Sequence, residues 1–230
     1  MWTPTLAEAE ILLLSLKVAA VSVVFSLPCG LLVAWFLARR RFPGRTALDA
    51  LVHLPLILPP VVVGYLLLLF LGRNGIVGAW LYEVFGITIA FTWKGAAIAS
   101  AVMGFPLMVR AIRLSLEGVD RGFESAARTL GAGPVRVFMT VTLPLILPGV
   151  LSGTILAFAR SLGEFGATIA FVSNIPGETR TLPLALFTAI QSASGDATAA
   201  RLVVISVVLA LVTLIASEVM ARRITVRFGA

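Results

Sequence analysis

The chain has 230 residues, of which 59% are apolar and only 13% are charged. A water-soluble domain of this length could not keep so many apolar side chains away from its surface. The formal net charge of +7 could suggest nucleic acid, but the arginines flank apolar runs instead of covering one soluble face. The composition therefore argues against a soluble or nucleic-acid-binding protein and predicts a chain surrounded by membrane lipid.

Apolar runs long enough to cross a bilayer, which takes roughly 20 residues, recur along the chain. They predict an all-α membrane protein, a polytopic helical bundle of five transmembrane helices in a single domain over residues 1–230. A further apolar stretch, 157–174, is interrupted by charged residues and glycines. We expect it to be either a re-entrant pair of short helices or a sixth crossing. The five predicted crossings cover residues 10–37, 49–71, 87–108, 137–158 and 201–216.

Most of the 18 basic residues cluster at one end of the predicted spans. Loops held in the cytoplasm carry the excess of Lys and Arg, so this end is predicted to be cytoplasmic. The N-terminus then lies outside and the C-terminus inside. The predicted cytoplasmic arginines are Arg39, Arg40, Arg41, Arg45, Arg110, Arg113, Arg121, Arg128, Arg136, Arg222, Arg223 and Arg227.

Residues for covalent chemistry are not evident in the sequence. Lys17 and Lys94 stand outside any G-x-x-x-x-G-K-[ST] phosphate-binding loop. His53 has no set of Cys, Asp or Glu residues around it that would complete a metal site, so we expect it to be a structural residue. No nucleophile with a supporting base is recognisable. We therefore expect no catalytic residue, metal or cofactor in this chain, and any ATP hydrolysis to belong to a partner.

A polar segment, residues 120–134, separates the third and fourth predicted spans. Asp120 is suited to cap the start of a helix. Gly131 and Gly133 are suited to end it, because glycine reaches positive φ without steric cost, and Pro134 fits the first turn of a following helix. The segment is predicted to form a helix–turn–helix that projects from the membrane on the cytoplasmic side.

The first predicted helix of this segment is amphipathic. One side carries a charge pair at i, i+4, Glu124 with Arg128. The segment is either a docking element for a partner or an ordinary interfacial helix that lies on the lipid headgroups. Its apolar stripe comprises Phe123, Ala126, Ala127 and Leu130.

The same segment resembles the cytoplasmic E-A-A-x-x-x-G-x9-[hydrophobic]-x-L-P loop of ATP-binding-cassette (ABC) importer permeases. Gly131 matches the family glycine, and Val141, Leu143 and Pro144 match its tail. Ser125 stands where the family has glutamate, and Glu124 lies one position earlier. Which of these two side chains takes the place of the family's acidic contact is therefore left open. The resemblance implies a coupling helix that docks on ATPase subunits through Phe123, Glu124, Ser125, Ala126, Ala127, Arg128, Leu130, Gly131 and Gly133.

Further strings, at residues 53–65, 105–113, 159–168 and 173–183, are similar to permease subunits of molybdate importers. The string at 159–168 is also similar to sulfate and tungstate permeases. The resemblance implies a homodimer in the bacterial inner membrane, two cytoplasmic ATPase subunits that bind ATP and Mg, and an external binding protein that delivers molybdate. The alternatives are a tungstate or sulfate/thiosulfate ABC permease and an ion-coupled secondary transporter. The last would need charged relays inside the spans, and the sequence offers few.

A doubly negative oxyanion crosses hydrocarbon only at high cost without polar contacts. We therefore expect a path lined by backbone amides and small polar side chains. Small residues could equally serve close helix packing, and the i, i+4 pair of Arg160 with Glu164 is either a gate or a structural pair. The path candidates are Ser152, Gly153, Thr154, Ser161, Gly163, Glu164, Gly166 and Thr168.

The segment 173–183 is predicted to be an external loop. It resembles the region of molybdate permeases that contacts the binding protein, which implies such contacts for Asn174, Pro176, Gly177 and Arg180. The other interpretation is a plain turn set by its proline and glycine.

Overall fold

The computed structural model describes residues 5–193 and 195–228, and all regular structure within them is helical. Within these two ranges eleven α-helices follow one another, and a π-helical turn, Phe138–Thr142, separates the seventh from the eighth. They are α1 (Leu6–Arg39), α2 (Arg45–Ile57), α3 (Pro60–Leu71), α4 (Ile76–Phe85), α5 (Trp93–Gly118), α6 (Arg121–Thr129), α7 (Pro134–Val137), α8 (Leu143–Leu162), α9 (Gly166–Val172), α10 (Leu182–Gln191) and α11 (Asp196–Phe228).

Four segments of the described chain are long and apolar enough to cross a membrane as continuous helices. They are Leu6–Arg39, Trp93–Gly118, Pro134–Leu162 and Asp196–Ala216, and the pair α2 and α3 makes a fifth if it is counted as one span. This confirms the predicted all-α polytopic bundle. Arg222, Arg223 and Arg227, predicted to be cytoplasmic, lie outside the part of the chain whose side chains are described.

The predicted crossing over 49–71 is interrupted, because the chain bends by 115° between α2 and α3, and these two helices form either a broken span or a re-entrant loop. The break falls at Leu58, Pro59 and Pro60. A residue before proline is pushed out of the α region, and Leu58 is extended with ψ 143°. Pro59 has no backbone N–H to continue α2, whereas Pro60 fits the first turn of α3.

The third predicted crossing, 87–108, is shifted along the chain. Helix α5 begins only at Trp93, because the Thr92 hydroxyl accepts a hydrogen bond from the Gly95 N–H at 3.3 Å and caps the helix. Phe91 just before it has φ +61°, which breaks any helix arriving from residue 87. At its other end α5 continues to Gly118. The observed span is therefore displaced from the predicted one toward the C-terminus by about one-third of its length.

The stretch 157–174 is divided as its glycines indicate. Helix α8 ends at Leu162, and α9 occupies only Gly166–Val172. Both α9 and the ten-residue α10 are too short for a crossing, which takes roughly 20 residues. The stretch 157–174 therefore contains the end of the long helix α8 and one short helix, α9, and neither a pair of short helices nor a sixth continuous crossing lies within it.

The bundle centre is formed by α1, α5 and α8. Leu37, Met108, Ile112 and Ile146 are completely buried in one cluster between these helices. A second cluster around Phe171 joins α9 to α3, α5 and α1. Many leucine, valine and phenylalanine side chains elsewhere are exposed, as expected for surfaces that face lipid.

Ion pairs fasten the ends of the bundle. Near the start of α1, the buried Glu8 accepts a hydrogen bond from Arg201 of α11 at 2.8 Å. At the other end of the bundle, Asp49 of α2 pairs with Arg113 of α5 at 2.9 Å. A buried carboxylate such as Glu8 would be costly without a partner, so its pair holds the start of α1 against α11, whereas Asp49 is 36% exposed and its pair with Arg113 contributes less.

Gly64 places the backbone of α3 directly against α9. A Cβ at this position would lie 2.8 Å from the Ala170 Cβ and even closer to the Ala167 carbonyl oxygen. We expect Gly64→Ala to lower the free energy of unfolding by about 1–3 kcal/mol, the usual cost of overpacking. The midpoint of denaturation of the purified chain in detergent measures this.

The matched control is Gly118→Ala, since nothing lies within 4 Å of a Cβ built at that position. Equal midpoints for the two variants would contradict the close approach of α3 and α9.

Candidate functional site

Helix α6 forms as its local sequence predicts. The Asp120 carboxylate accepts a hydrogen bond from the Gly122 N–H at 2.8 Å and caps the N-terminus. At the other end Gly131 has φ +83°, a conformation that side chains disfavour. Its N–H donates a hydrogen bond to the Arg128 carbonyl oxygen at 3.0 Å, and the Ala132 N–H donates one to the Ala127 carbonyl oxygen at 3.1 Å. These two bonds are those of a Schellman motif, which stops the helix sharply.

The two sides of α6 meet different surroundings. On the apolar side, Phe123 is 59% exposed and Leu130 is 88% exposed, so this stripe has no cover within the chain. On the other side, Arg121, Glu124 and Arg128 face the end of α1 across a shared pocket. An apolar stripe left open next to a fixed polar face is typical of a surface that binds a partner.

Glu124 faces the chain itself rather than the open side of α6. It is 8% exposed, and its Oε1 lies 2.9 Å from Nη2 of Arg39. The same oxygen accepts a hydrogen bond from the Thr142 hydroxyl at 3.0 Å. Arg128, on the same helix, approaches the second oxygen at 3.6 Å. We call Arg39, Glu124 and Thr142 the clamp, because they join α6 to α1 and to the π-helical turn before α8.

The clamp meets the bundle at the π-helical turn Phe138–Thr142. Here the Leu143 N–H bonds the Phe138 carbonyl, five residues back. Pro144 follows directly and has no N–H, so it cannot donate the hydrogen bond to the fourth residue back that an α-helix requires. The wider π-helical turn accommodates this missing bond. Such turns occur often at functional sites, and this one carries Thr142 to Glu124.

The remaining predicted docking residues surround these contacts. Ser125, Ala126, Gly131 and Gly133 are exposed, and Ala127 is half-buried. The predicted pairing of Glu124 with Arg128 is present, but the stronger partner of Glu124 is Arg39.

The path candidates on α8 contact other helices. The Ser161 hydroxyl lies 2.7 Å from that of Ser22 on α1, and both are buried. A Cβ on Gly153 would lie 2.9 Å from the Met108 carbonyl oxygen of α5. Ser152 and Thr154 are half-buried, and the Thr154 hydroxyl bonds the Val150 carbonyl of its own helix at 2.7 Å. These contacts support the packing interpretation for Ser161 and Gly153.

The candidates after α8 lie around the helix break. Gly163 borders a cavity of about 530 Å³ between α8, α10 and α11, whose walls are mostly leucine, isoleucine and alanine. Gly166 lies against α3, because a Cβ there would be 2.7 Å from that of Pro60. Thr168 is buried within α9. The structure thus places Gly166 against α3, whereas Gly163 borders the cavity next to α10 and α11.

Glu164 makes contacts that favour its structural interpretation. Its side chain is 1% exposed, and one carboxylate oxygen lies 2.6 Å from Nη1 of Arg160. The other oxygen accepts a hydrogen bond from the Ala167 N–H at 2.8 Å. That bond satisfies one of the free N–H groups at the start of α9, so Glu164 both neutralises Arg160 and stabilises the short helix.

The predicted external loop is tied down at its base and open at its tip. The Asn174 carbonyl oxygen accepts a hydrogen bond from Arg180 Nε at 2.9 Å, while its amide donates to the Thr188 hydroxyl at 2.7 Å. Pro176 and Gly177 are exposed, and Gly177 has φ +76°. The tip of the loop is therefore left accessible, while Asn174 and Arg180 hold its base.

Arg39 and Thr142 were not among the predicted site residues. Arg39 appears in the sequence only as one of three successive arginines after the first span, which is the usual pattern of topology. Its partner Glu124 lies 85 residues away, so no local spacing connects them. The one available signal was Glu124 itself, an acidic residue displaced by one position from the family pattern.

Comparison with known proteins places these features in a family. Residues 26–226 match the family model described as binding-protein-dependent transport system inner membrane component. The molybdenum transport system permease protein ModB of Escherichia coli strain K12 is 64% identical over 215 residues, covering 94% of each chain. The ModB protein of Haemophilus influenzae is 54% identical over 222 residues, covering 96% of this chain and 97% of that protein.

Among solved structures, a bacterial ABC transporter involved in the import of the polysaccharide alginate superposes with a TM-score of 0.75. It is 20% identical, and the match covers 96% of this chain and 81% of that chain. At this identity the match supports the helical fold alone.

The clamp predicts how α6 responds to loss of its buried carboxylate. Glu124→Ala leaves the Arg39 guanidinium without its partner, at a cost of about 1.5–3 kcal/mol. Backbone amides of residues 121–129 should then exchange hydrogen faster than in the unaltered chain, while those of residues 150–161 in α8 should not. Hydrogen–deuterium exchange read by mass spectrometry measures both segments.

Arg128→Ala is the control, because its side chain is 59% exposed and exposed ion pairs contribute little. If Glu124→Ala left exchange in α6 at the level of this control, the clamp would not hold the helix.

Proposed function

Since this chain belongs to the family of inner-membrane components of binding-protein-dependent transport systems, we propose that it is the permease subunit of an ATP-driven molybdate importer. The support for molybdate is the identity of 64% with the Escherichia coli molybdenum permease along 94% of both chains. In this proposal the chain forms the membrane path, and ATP is bound with Mg and hydrolysed by cytoplasmic ATPase subunits.

The exposed apolar stripe of α6 is the proposed docking surface for those subunits. Phe123 and Leu130 are its largest side chains, and they are left open by the chain itself. Large apolar side chains on a rigid element are typical anchors of a protein interface. Glu124 and Arg128 lie on the opposite side, so their proposed part is to fix the angle of the stripe.

The clamp supports a lever role for α6. A helix fastened only by flexible loops would absorb the movement of a docked ATPase. Here Arg39 connects α6 to the long helix α1, and Thr142 connects it to the start of α8. ATP-driven closure of two ATPase subunits would therefore move these helices in each copy of a homodimer. ATP can shift such an equilibrium only by favouring one of its two states.

The oxyanion path is proposed to use the broken helices next to α3. Gly166 lies beside the α2–α3 break at Pro60, so two interrupted helices meet at this point, and the buried Thr168 follows in the same short helix. Non-helical backbone is tolerated within a membrane only where protein or a water-filled cavity surrounds it. Ser152 and Thr154 remain candidates for the same path, whereas the contacts of Ser161 support a packing role.

The outer end is proposed to receive the oxyanion-binding protein. With the N-terminus outside and the C-terminus in the cytoplasm, the loop after α9 faces outward. Its exposed tip at Pro176 and Gly177 is suited to contact a partner, while Asn174 and Arg180 stabilise the base of the loop through their mutual hydrogen bond.

Uptake into reconstituted vesicles tests the proposed function. The complex of this chain with its ATPase subunits and binding protein should accumulate molybdate only when ATP is hydrolysed. Tungstate should compete strongly and sulfate weakly. Accumulation driven by an ion gradient without ATP would contradict an ATP-driven importer, and preference for sulfate would contradict the proposed substrate.

The docking surface is tested by Leu130→Asp. Because Leu130 is 88% exposed, the change should leave the fold intact but place a charge in the proposed interface. Loss of a central anchor typically weakens binding more than about tenfold, and co-purification of the ATPase subunit should fall accordingly.

Val135→Asp serves as the control, since this exposed valine lies on α7, outside the stripe. Equal ATPase recovery with both variants would argue against docking through α6.

A further inference from the structure

A basic pocket of about 480 Å³ lies between the last turns of α1 and the polar side of α6. Four arginines and a single glutamate contribute to its wall, so positive charge is in large excess. From α1 come Trp35, Arg39 and Arg40, and from α6 come Arg121, Glu124, Ser125 and Arg128.

The only carboxylate of the pocket is already engaged. Glu124 is bound by Arg39 and approached by Arg128. No carboxylate of the described residues lies within ion-pair distance of Arg40 or Arg121. The buried Nε of Arg39, a side chain only 9% exposed, also has no hydrogen-bond partner among those residues. The pocket therefore offers several guanidinium donors to an anion.

The position of the pocket indicates which anion it would meet. Arg40 lies over the ring of Trp35, 5.3 Å from its centroid, where the long apolar helix α1 ends. Tryptophan with arginine at a span end is typical of the level of the lipid headgroups. The pocket also lies on the side of α6 opposite Phe123 and Leu130, so a partner seated on that stripe would not cover it.

We propose that this pocket binds the phosphate group of an anionic phospholipid of the cytoplasmic leaflet. Guanidinium groups bind phosphate oxygens through paired hydrogen bonds, and basic pockets at helix ends on the cytoplasmic side suit acidic headgroups. The inference rests on the proposed function for the cytoplasmic position of this end. A bound lipid would lie next to the clamp and stabilise the junction of α1 with α6.

Lipid retention by the purified chain tests this directly. The full-length chain is extracted in detergent, exposed to mixed micelles of phosphatidylglycerol and phosphatidylcholine, and examined by native mass spectrometry. The double variant Arg40→Gln/Arg121→Gln should bind phosphatidylglycerol more weakly, by about fivefold for each arginine removed. Arg41→Gln, the adjacent exposed arginine outside the pocket, should bind as the unaltered chain does.

Each outcome decides the proposal. Selective binding of phosphatidylglycerol that is lost only in the double variant supports it. Equal binding by all three chains, or equal loss in Arg41→Gln, overturns it. Displacement of the lipid by millimolar inorganic phosphate would assign the pocket to a free anion and overturn the lipid assignment. The lipid-binding experiment measures no transport. A negative result in it would therefore not contradict the proposed molybdate uptake, and a negative result in the uptake experiment would not contradict lipid binding.

Discussion

The buried carboxylate of Glu124 determines how the helix pair α6 and α7 is positioned relative to the bundle. A charge at 8% exposure is stable only with partners, and its partners come from two separate parts of the chain. Arg39 ends α1, and Thr142 lies in the π-helical turn before α8. Because all three must meet, α6 has one position relative to both helices, and its apolar stripe is presented at a fixed angle.

The same constraint gives the proposed energy transfer a physical route through packed side chains. α1 and α8 both pack on α5 through fully buried side chains such as Met108 and Ile146. Close-packed interiors transmit displacement instead of absorbing it. A force on the stripe of α6 would thus pass through Arg39 and Thr142 into the bundle centre, and from there to α9 and α3, whose backbones approach at Gly64.

Local signals in the sequence predicted the parts of the site that local forces determine. Asp120 caps α6 and Gly131 ends it, because both effects depend on neighbouring backbone groups. The direction in which Glu124 points was not predictable, since its partner is 85 residues away. The break at Pro59 and Pro60 could have been read from the two prolines, but apolar character alone favoured one crossing over 49–71.

The central claim is that the ion pair of Arg39 with Glu124 couples α6 to the membrane helices. The most direct measurement is the number of molybdate ions taken up per ATP hydrolysed by the reconstituted complex. Arg39→Glu and Glu124→Arg should each lower this ratio severalfold while ATP hydrolysis continues, and the double exchange should restore much of it. An unchanged ratio in the single variants would contradict the account.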